Sequence, residues 1–223
     1  MTDAPSRLID WAHSRRWLHV SVALTRIFVG FALVPSGLKK VLGEPFTDPA
    51  NTGPFHDFLD AFFATGFFYS FVGVMQLVAA VLLMSQRFAL VGAFVLMPIV
   101  TTILVFCWST RVYPTASVVT LMWLATLALL LWDLDRWRAI IAPSRPAPAR
   151  AALTDWGLWA RCGLAVLGLY LMTCVINGGI YRPRGVELGN PAFYVFPLLL
   201  LLPIATYVID RSRHRSRLAN DGR

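Results

Sequence analysis

The fold is decided by residues 17–40, WLHVSVALTRIFVGFALVPSGLKK, an apolar stretch that contains one arginine well inside it, Arg26. As a helix, residues 17–38 are long enough to cross a hydrocarbon core about 30 Å thick. An arginine about a third to a half of the way across is costly unless something satisfies its charge. Because no Asp or Glu lies in any other apolar stretch, we expect Arg26 to meet neutral acceptors, a ligand or a water-filled cleft.

Composition points to an integral membrane protein. Of the 223 residues, 57% are hydrophobic and 14% are charged, whereas soluble domains carry roughly 25% charged residues. The sequence predicts an all-α, polytopic membrane helix bundle with six transmembrane helices. The predicted spans are residues 17–38, 65–84, 88–108, 115–132, 158–176 and 193–209. An amphipathic segment over residues 56–64 precedes the second span.

The arginines and lysines predict the orientation. If the termini are cytoplasmic, fourteen of the 20 basic residues fall on the inner side, five on the outer side, and Arg26 within a span. This bias predicts a multi-pass protein of the cytoplasmic membrane with both termini inside. The basic residues flank the spans rather than forming a patch with interleaved aromatics, so we expect the lipid bilayer, and no nucleic acid, as a partner.

Three regions are predicted along the chain. Residues 1–140 form a four-helix membrane core with an interfacial segment at the N-terminus. Residues 141–155 form a cytoplasmic linker rich in Pro, Ala and Arg, and residues 156–223 form a two-helix extension with a basic tail.

The first span carries small or polar residues at steps of four and three, which places them on one helix face. Small residues let membrane helices approach closely, so this face is predicted to point into the bundle and to take Arg26 with it. The residues of this stripe are His19, Ala23, Arg26, Gly30, Leu33, Gly37 and Lys40.

The second span has a similar stripe: Gly66, Tyr69, Gly73, Gln76 and Ala80. Counting from opposite ends places Gln76 within about one turn of Arg26 in depth. Gln76 would then bond either Arg26 or, equally, a backbone carbonyl or another helix. Trp123, far from a span end, is expected to pack between helices. The candidate ligand-binding interior therefore consists of Arg26, Lys40, Tyr69, Gln76 and Trp123.

Several kinds of chemistry are disfavoured. The four histidines, His13, His19, His56 and His214, supply no intramembrane pair for a bis-His haem. No span has an interior acid, which argues against a proton-coupled carrier, and metal-ligand and nucleophile motifs are missing. We predict no catalytic residue, no metal and no tightly bound cofactor, although a quinone fits a lipophilic interior. Whether the chain belongs to an enzyme stays open.

Residues 20–135 resemble the DoxX family of small membrane proteins. The likeness rests on TRIFVGFALVPSGLKKVLG, in which Arg26, Gly37 and Lys40 fall where the family has R…G-x-x-K. The segments FHDFLDAFFATGFF and FVGVMQLVAAVLLMSQRFALVGAFVLM follow, as in the family. Family members often have Glu where Gln76 stands, and His near the outer end of the third span, where this chain has Phe106, Cys107 and Trp108. Both departures weaken the transfer of proton or redox chemistry from the family to this chain.

The resemblance implies a four-helix bundle that hosts several functions. Some members are associated with quinone-linked oxidoreductases or cytosolic redox enzymes, and others assist the assembly of membrane receptors. The leading expectation is therefore an accessory subunit of a quinone-linked oxidoreductase system. A membrane chaperone, assembly factor or scaffold is the alternative, and a small transporter is less favoured. A bound quinone carbonyl or lipid phosphate is expected to meet Arg26.

Overall fold

The computed structural model describes residues 10–48, 50–141, 153–182 and 189–221, and all regular structure in these ranges is helical. The helices are α1 (Arg16–Val41), α2 (Pro54–Ala64), α3 (Phe67–Met84), α4 (Ala89–Ser109), α5 (Tyr113–Trp132), α6 (Leu134–Ile141), α7 (Trp156–Asn177), α8 (Pro191–Val195) and α9 (Leu198–Asp221). Most of the predicted linker, and part of the predicted N-terminal interfacial segment, lie outside the described residues.

Six segments within the described ranges have the length and apolarity of membrane spans, which confirms the predicted fold class. They are Arg16–Val41, Phe67–Met84, Ala89–Ser109, Tyr113–Trp132, Trp156–Asn177 and Pro191–Ser216. The sixth span begins as α8 and resumes as α9 after a turn at Phe196 and Pro197. Large apolar side chains on the outer faces of α4 and α5, such as Phe94, Val105 and Leu121, are about half exposed or more, as expected where a helix meets lipid.

Helix α1 is the centre of the bundle, and its predicted inward face is confirmed. All seven residues of the stripe from His19 to Lys40 are buried. Glycines explain how closely α1 meets α3. A Cβ on Gly37 would lie 2.9 Å from the Leu77 side chain, and one on Gly73 would lie 2.6 Å from the Lys40 Cβ. Residues larger than glycine would therefore push the two helices apart.

The two C-terminal spans pack against each other and against the first two spans, α1 and α3. Helix α7 crosses the end of α3 at Gly163, where a Cβ would collide with the Met84 carbonyl oxygen. At the same end of the bundle, Arg16 forms an ion pair with Asp210 of α9 at 2.8 Å. We call this the Arg16 end, and the opposite end, where α1 finishes and α3 begins, the Lys40 end.

Candidate functional site

Among the described residues, two clusters of polar side chains lie along α1, one towards each end of the bundle. We define the Arg26 cluster, which lies towards the Arg16 end, as Arg26, Gln86, Asp133 and Trp156. We define the Lys40 cluster, at the Lys40 end, as Ser36, Lys40, Phe46, Tyr69 and Gln76.

Arg26 is neutralised by an acid of the same chain. Its side chain is 2% exposed, and Nη2 donates to Asp133 Oδ2 at 2.6 Å. Nη1 donates to Gln86 Oε1 at 3.5 Å, while Gln86 Nε2 donates to the Ala23 carbonyl at 3.3 Å. The guanidinium also lies 5.0 Å from the centre of the Trp156 ring, within range of a cation–π contact. One arginine therefore joins α1, the α3–α4 turn, the end of α5 and the start of α7.

The expectation that Arg26 meets only neutral groups, a ligand or water was wrong. Asp133 follows Trp132, the last residue of α5, and therefore lies just beyond the apolar stretch of the fourth predicted span. Its second oxygen, Oδ1, accepts from Arg136 at 3.0 Å. The signal in the sequence is an acid directly after a span, and not within it.

The Arg26 guanidinium lies level with the ends of two neighbouring helices, because its partners Gln86 and Asp133 lie just after α3 and α5. The first turns of α1, which begins at Arg16, therefore extend beyond the ends of α3 and α5. Side chains on a helix also point towards its N-terminus, which moves the charge further towards the Arg16 end.

An aromatic cage surrounds this side of α1. The His19 ring lies 5.0 Å from the Trp132 ring and 5.9 Å from the Trp156 ring. His19 Nε2 contacts the His13 carbonyl at 2.9 Å, and His13 Nε2 contacts the Trp132 carbonyl at 3.2 Å. Both histidines are thus engaged with backbone carbonyls and help to hold the segment before α1 against the end of α5.

A second charged network fastens α9 and α7 to the start of α1. Asp210 is 2% exposed, accepts from Arg16, and its Oδ1 accepts from the Asp155 backbone N–H at 3.0 Å. Asp155 caps α7 by accepting from the Leu158 N–H at 3.1 Å, and it pairs with Arg213 at 3.2 Å. The Leu158 hydrogen bond, aided by Arg213, holds the pKa of the Asp155 carboxyl below its usual value. Sequence reasoning missed Asp210, which follows the predicted sixth span.

The Lys40 cluster brings three predicted site residues together. Lys40 is 7% exposed, and its Nζ donates to Ser36 Oγ at 2.8 Å and to the Ser36 carbonyl at 3.3 Å. The ammonium lies 4.7 Å from the Phe46 ring centre and 5.8 Å from that of Tyr69. Ser36 Oγ in turn contacts Gln76 Oε1 at 3.4 Å.

Of the two alternatives for Gln76, the structure shows a bond to another helix, with Ser36 of α1, and not to Arg26. Gln86, ten residues further along the chain, is the glutamine that reaches Arg26. Trp123 joins neither cluster: its Nε1 donates to Thr101 Oγ1 at 3.0 Å and so links α5 to α4. Arg26 and Lys40, fourteen residues apart on one helix face, therefore belong to separate sites about 21 Å apart along α1.

Comparisons of the chain with protein-family models, with curated proteins and with solved structures find no match. The resemblance to the DoxX family therefore stays a prediction from the sequence. Across the residues that the structure describes, no three His, Cys, Asp or Glu side chains are grouped so that they would hold a metal ion.

Proposed function

We propose that the protein is a multi-pass accessory subunit of a quinone-linked oxidoreductase system in the cytoplasmic membrane, with both termini in the cytoplasm. The positive charge bias and the resemblance of residues 20–135 to the DoxX family support this assignment. Because one fold hosts many functions, the function is inferred from the site rather than from the bundle.

The observation that carries the proposal is the internal neutralisation of Arg26. Asp133 accepts from Nη2 and Gln86 from Nη1, and the Trp156 ring lies 5.0 Å from the guanidinium, while Nε is buried without a hydrogen-bond partner among the described residues. A centre that binds or transforms a substrate there would first have to displace a buried ion pair, which is strongly unfavourable. The cluster instead holds α1, α5 and α7 together at one end of the bundle. A rigid end of this kind suits a protein that binds a partner subunit.

In this proposal the quinone is the substrate of the partner enzyme and is not held by Arg26. The expectation that a quinone carbonyl or a lipid phosphate meets Arg26 is not proposed again, because its Nη1 and Nη2 already donate to protein oxygens. The exposed apolar faces of α4 and α5 supply the surfaces on which another membrane subunit would pack.

The test is to remove the chain from its native membranes, restore it, and measure quinone-dependent electron transfer in each case. Purification in mild detergent with mass spectrometry then identifies the proteins that accompany it. We expect activity to fall on removal and to return on restoration, with redox-enzyme subunits co-purifying in fixed proportion. Unchanged activity and isolation without any redox subunit would contradict the proposal.

The same experiment separates an accessory subunit from an assembly factor. An assembly factor would lower the amount of the client complex when removed, yet the mature complex purified from normal membranes would lack this chain. An accessory subunit stays in the mature complex.

A further inference from the structure

At the Lys40 end, two cations lie against one aromatic ring. The Lys40 ammonium is 4.7 Å from the centre of the Phe46 ring, and the Arg182 guanidinium carbon is 5.4 Å from it. Arg182 follows α7, and its Nη2 donates to the Pro35 carbonyl of α1 at 3.4 Å. The C-terminal spans thus bring a second positive charge to a lysine that α1 already buries.

These cations differ from the other buried charges in how they are balanced. Arg26 is paired with Asp133, and Arg16 with Asp210. Among the residues that the structure describes, no carboxylate forms an ion pair with Lys40 or Arg182, whose hydrogen bonds go to Ser36 and to a backbone carbonyl. Two like charges in partly desolvated surroundings repel each other. An anion between them would reduce both this repulsion and the energetic cost of burying the Lys40 charge.

The position of Lys40 and Arg182 in the bundle indicates which kind of anion would bind there. Lys40 is in the last turn of α1, at the boundary between the apolar span and the following loop. Exposed apolar side chains surround this end: Leu42 is 62% exposed, and Phe67 and Phe68, at the start of α3, are 86% and 56% exposed. A ligand here meets cations at its polar head and apolar surface along its tail.

We propose that Lys40 and Arg182 bind the phosphate of an anionic phospholipid in the adjacent leaflet, with Phe46 holding the two cations in place. Phosphate oxygens accept from both an ammonium and a guanidinium, and basic pockets between membrane helices are suited to lipid headgroups. This site is independent of the accessory role, because it would bind a lipid whether or not the chain joins a redox complex.

The proposal is tested by native mass spectrometry of the delipidated full chain. It is titrated with phosphatidylglycerol and, separately, with phosphatidylcholine of the same acyl chains. We expect the first phosphatidylglycerol to bind about tenfold more tightly than phosphatidylcholine. Lys40→Gln and Arg182→Gln should each weaken phosphatidylglycerol binding about fivefold, since a basic residue near a lipid surface contributes roughly that factor. Both changes should weaken phosphatidylcholine binding by a smaller factor, because the choline ammonium of that lipid is repelled by the two cations and offsets the attraction of its phosphate.

Arg111→Gln is the matched control, because Arg111 is an exposed arginine at the same end of the bundle. It should change the phosphatidylglycerol affinity less than about twofold. If it weakens binding as much as Lys40→Gln does, the preference comes from general surface charge and the proposed site is wrong. Equal binding of the two lipids would also overturn it, and would favour a neutral ligand.

A second variant distinguishes the lipid from an internal counter-ion. Glu187 lies outside the described residues, close in sequence to Arg182. We expect Glu187→Gln to leave phosphatidylglycerol affinity unchanged or raised. If Glu187→Gln instead lowers the melting temperature in lipid-free detergent as much as Lys40→Gln, with no further loss in the double variant, Glu187 is the partner of Lys40. The lipid proposal is then wrong.

Discussion

Arg26 of α1 and Asp133, the residue that directly follows α5, form a buried ion pair with 2.6 Å between Nη2 and Oδ2. Their side chains are 2% and 5% exposed, so solvent would not stabilise either charge if the other were removed. Removing one partner of such a pair costs about 3–5 kcal/mol, because the other charge is left buried and alone. Helix ends that are far apart in sequence are thereby joined by charge as well as by apolar packing.

We predict that the packing of α7 against α3 requires a glycine at position 163. Gly163→Ala places a Cβ against the Met84 carbonyl oxygen, and we expect it to destabilise the fold by about 1–3 kcal/mol. Gly168, on the same helix, has no atom within 4 Å of the position of a Cβ. Gly168→Ala should therefore be neutral, or stabilising by about 0.5–1 kcal/mol.

Thermal unfolding in detergent, followed by size-exclusion chromatography, measures both alanine variants. Equal melting temperatures for Gly163→Ala and Gly168→Ala would show that α7 does not lie against Met84.

Asp155 is predicted to stabilise the start of α7 in a way that depends on pH. Its carboxylate accepts from the Leu158 N–H and pairs with Arg213, so Asp155→Ala should cost about 1 kcal/mol at neutral pH. The folded pKa is lower than the usual value near 3.8. The charged form therefore stabilises the fold above that value, and its contribution is lost as the pH falls through the lowered pKa.

The measurement compares the melting temperatures of the wild type and Asp155→Ala as the pH is lowered. The difference should be constant from pH 7 to about pH 5 and should shrink only below the usual pKa of an aspartate. A difference that already disappears near neutral pH would mean that the charge of Asp155 is not what stabilises the helix.

The orientation is tested by labelling two exposed positions at opposite ends of the bundle. Asn51 lies in the loop at the Lys40 end, and Arg87 lies in the α3–α4 turn at the Arg16 end. In a variant without the three native cysteines, Asn51→Cys should react with a membrane-impermeant maleimide in intact cells. Arg87→Cys should react only after lysis. The reverse pattern would place the termini outside.

The sequence predicted the features that depend on local periodicity, such as which face of a helix is buried. It predicted few of the contacts that depend on how far one helix extends relative to its neighbours. The stripe from His19 to Lys40 is buried as expected, because a step of four and three follows the helix period wherever the helix sits. Whether Arg26 meets Gln76 or Gln86 depends on how far α1 extends past α3, which composition does not specify. Asp133 was missed for a related reason, since it belongs to a helix end whose neighbour is not visible in the sequence.

The most direct test of this account is a double-mutant cycle on the Arg26–Asp133 pair, with Arg26→Met, Asp133→Leu and both together. Asp133→Leu also removes the partner of Arg136, but Arg136 is 63% exposed and that loss is small. We predict that each single variant is destabilised by about 3–5 kcal/mol. The double variant should be more stable than the sum of the single losses implies, by at least about 1.5 kcal/mol. Additive losses, or single variants as stable as the wild type, would show that Arg26 is not held by Asp133 inside the bundle.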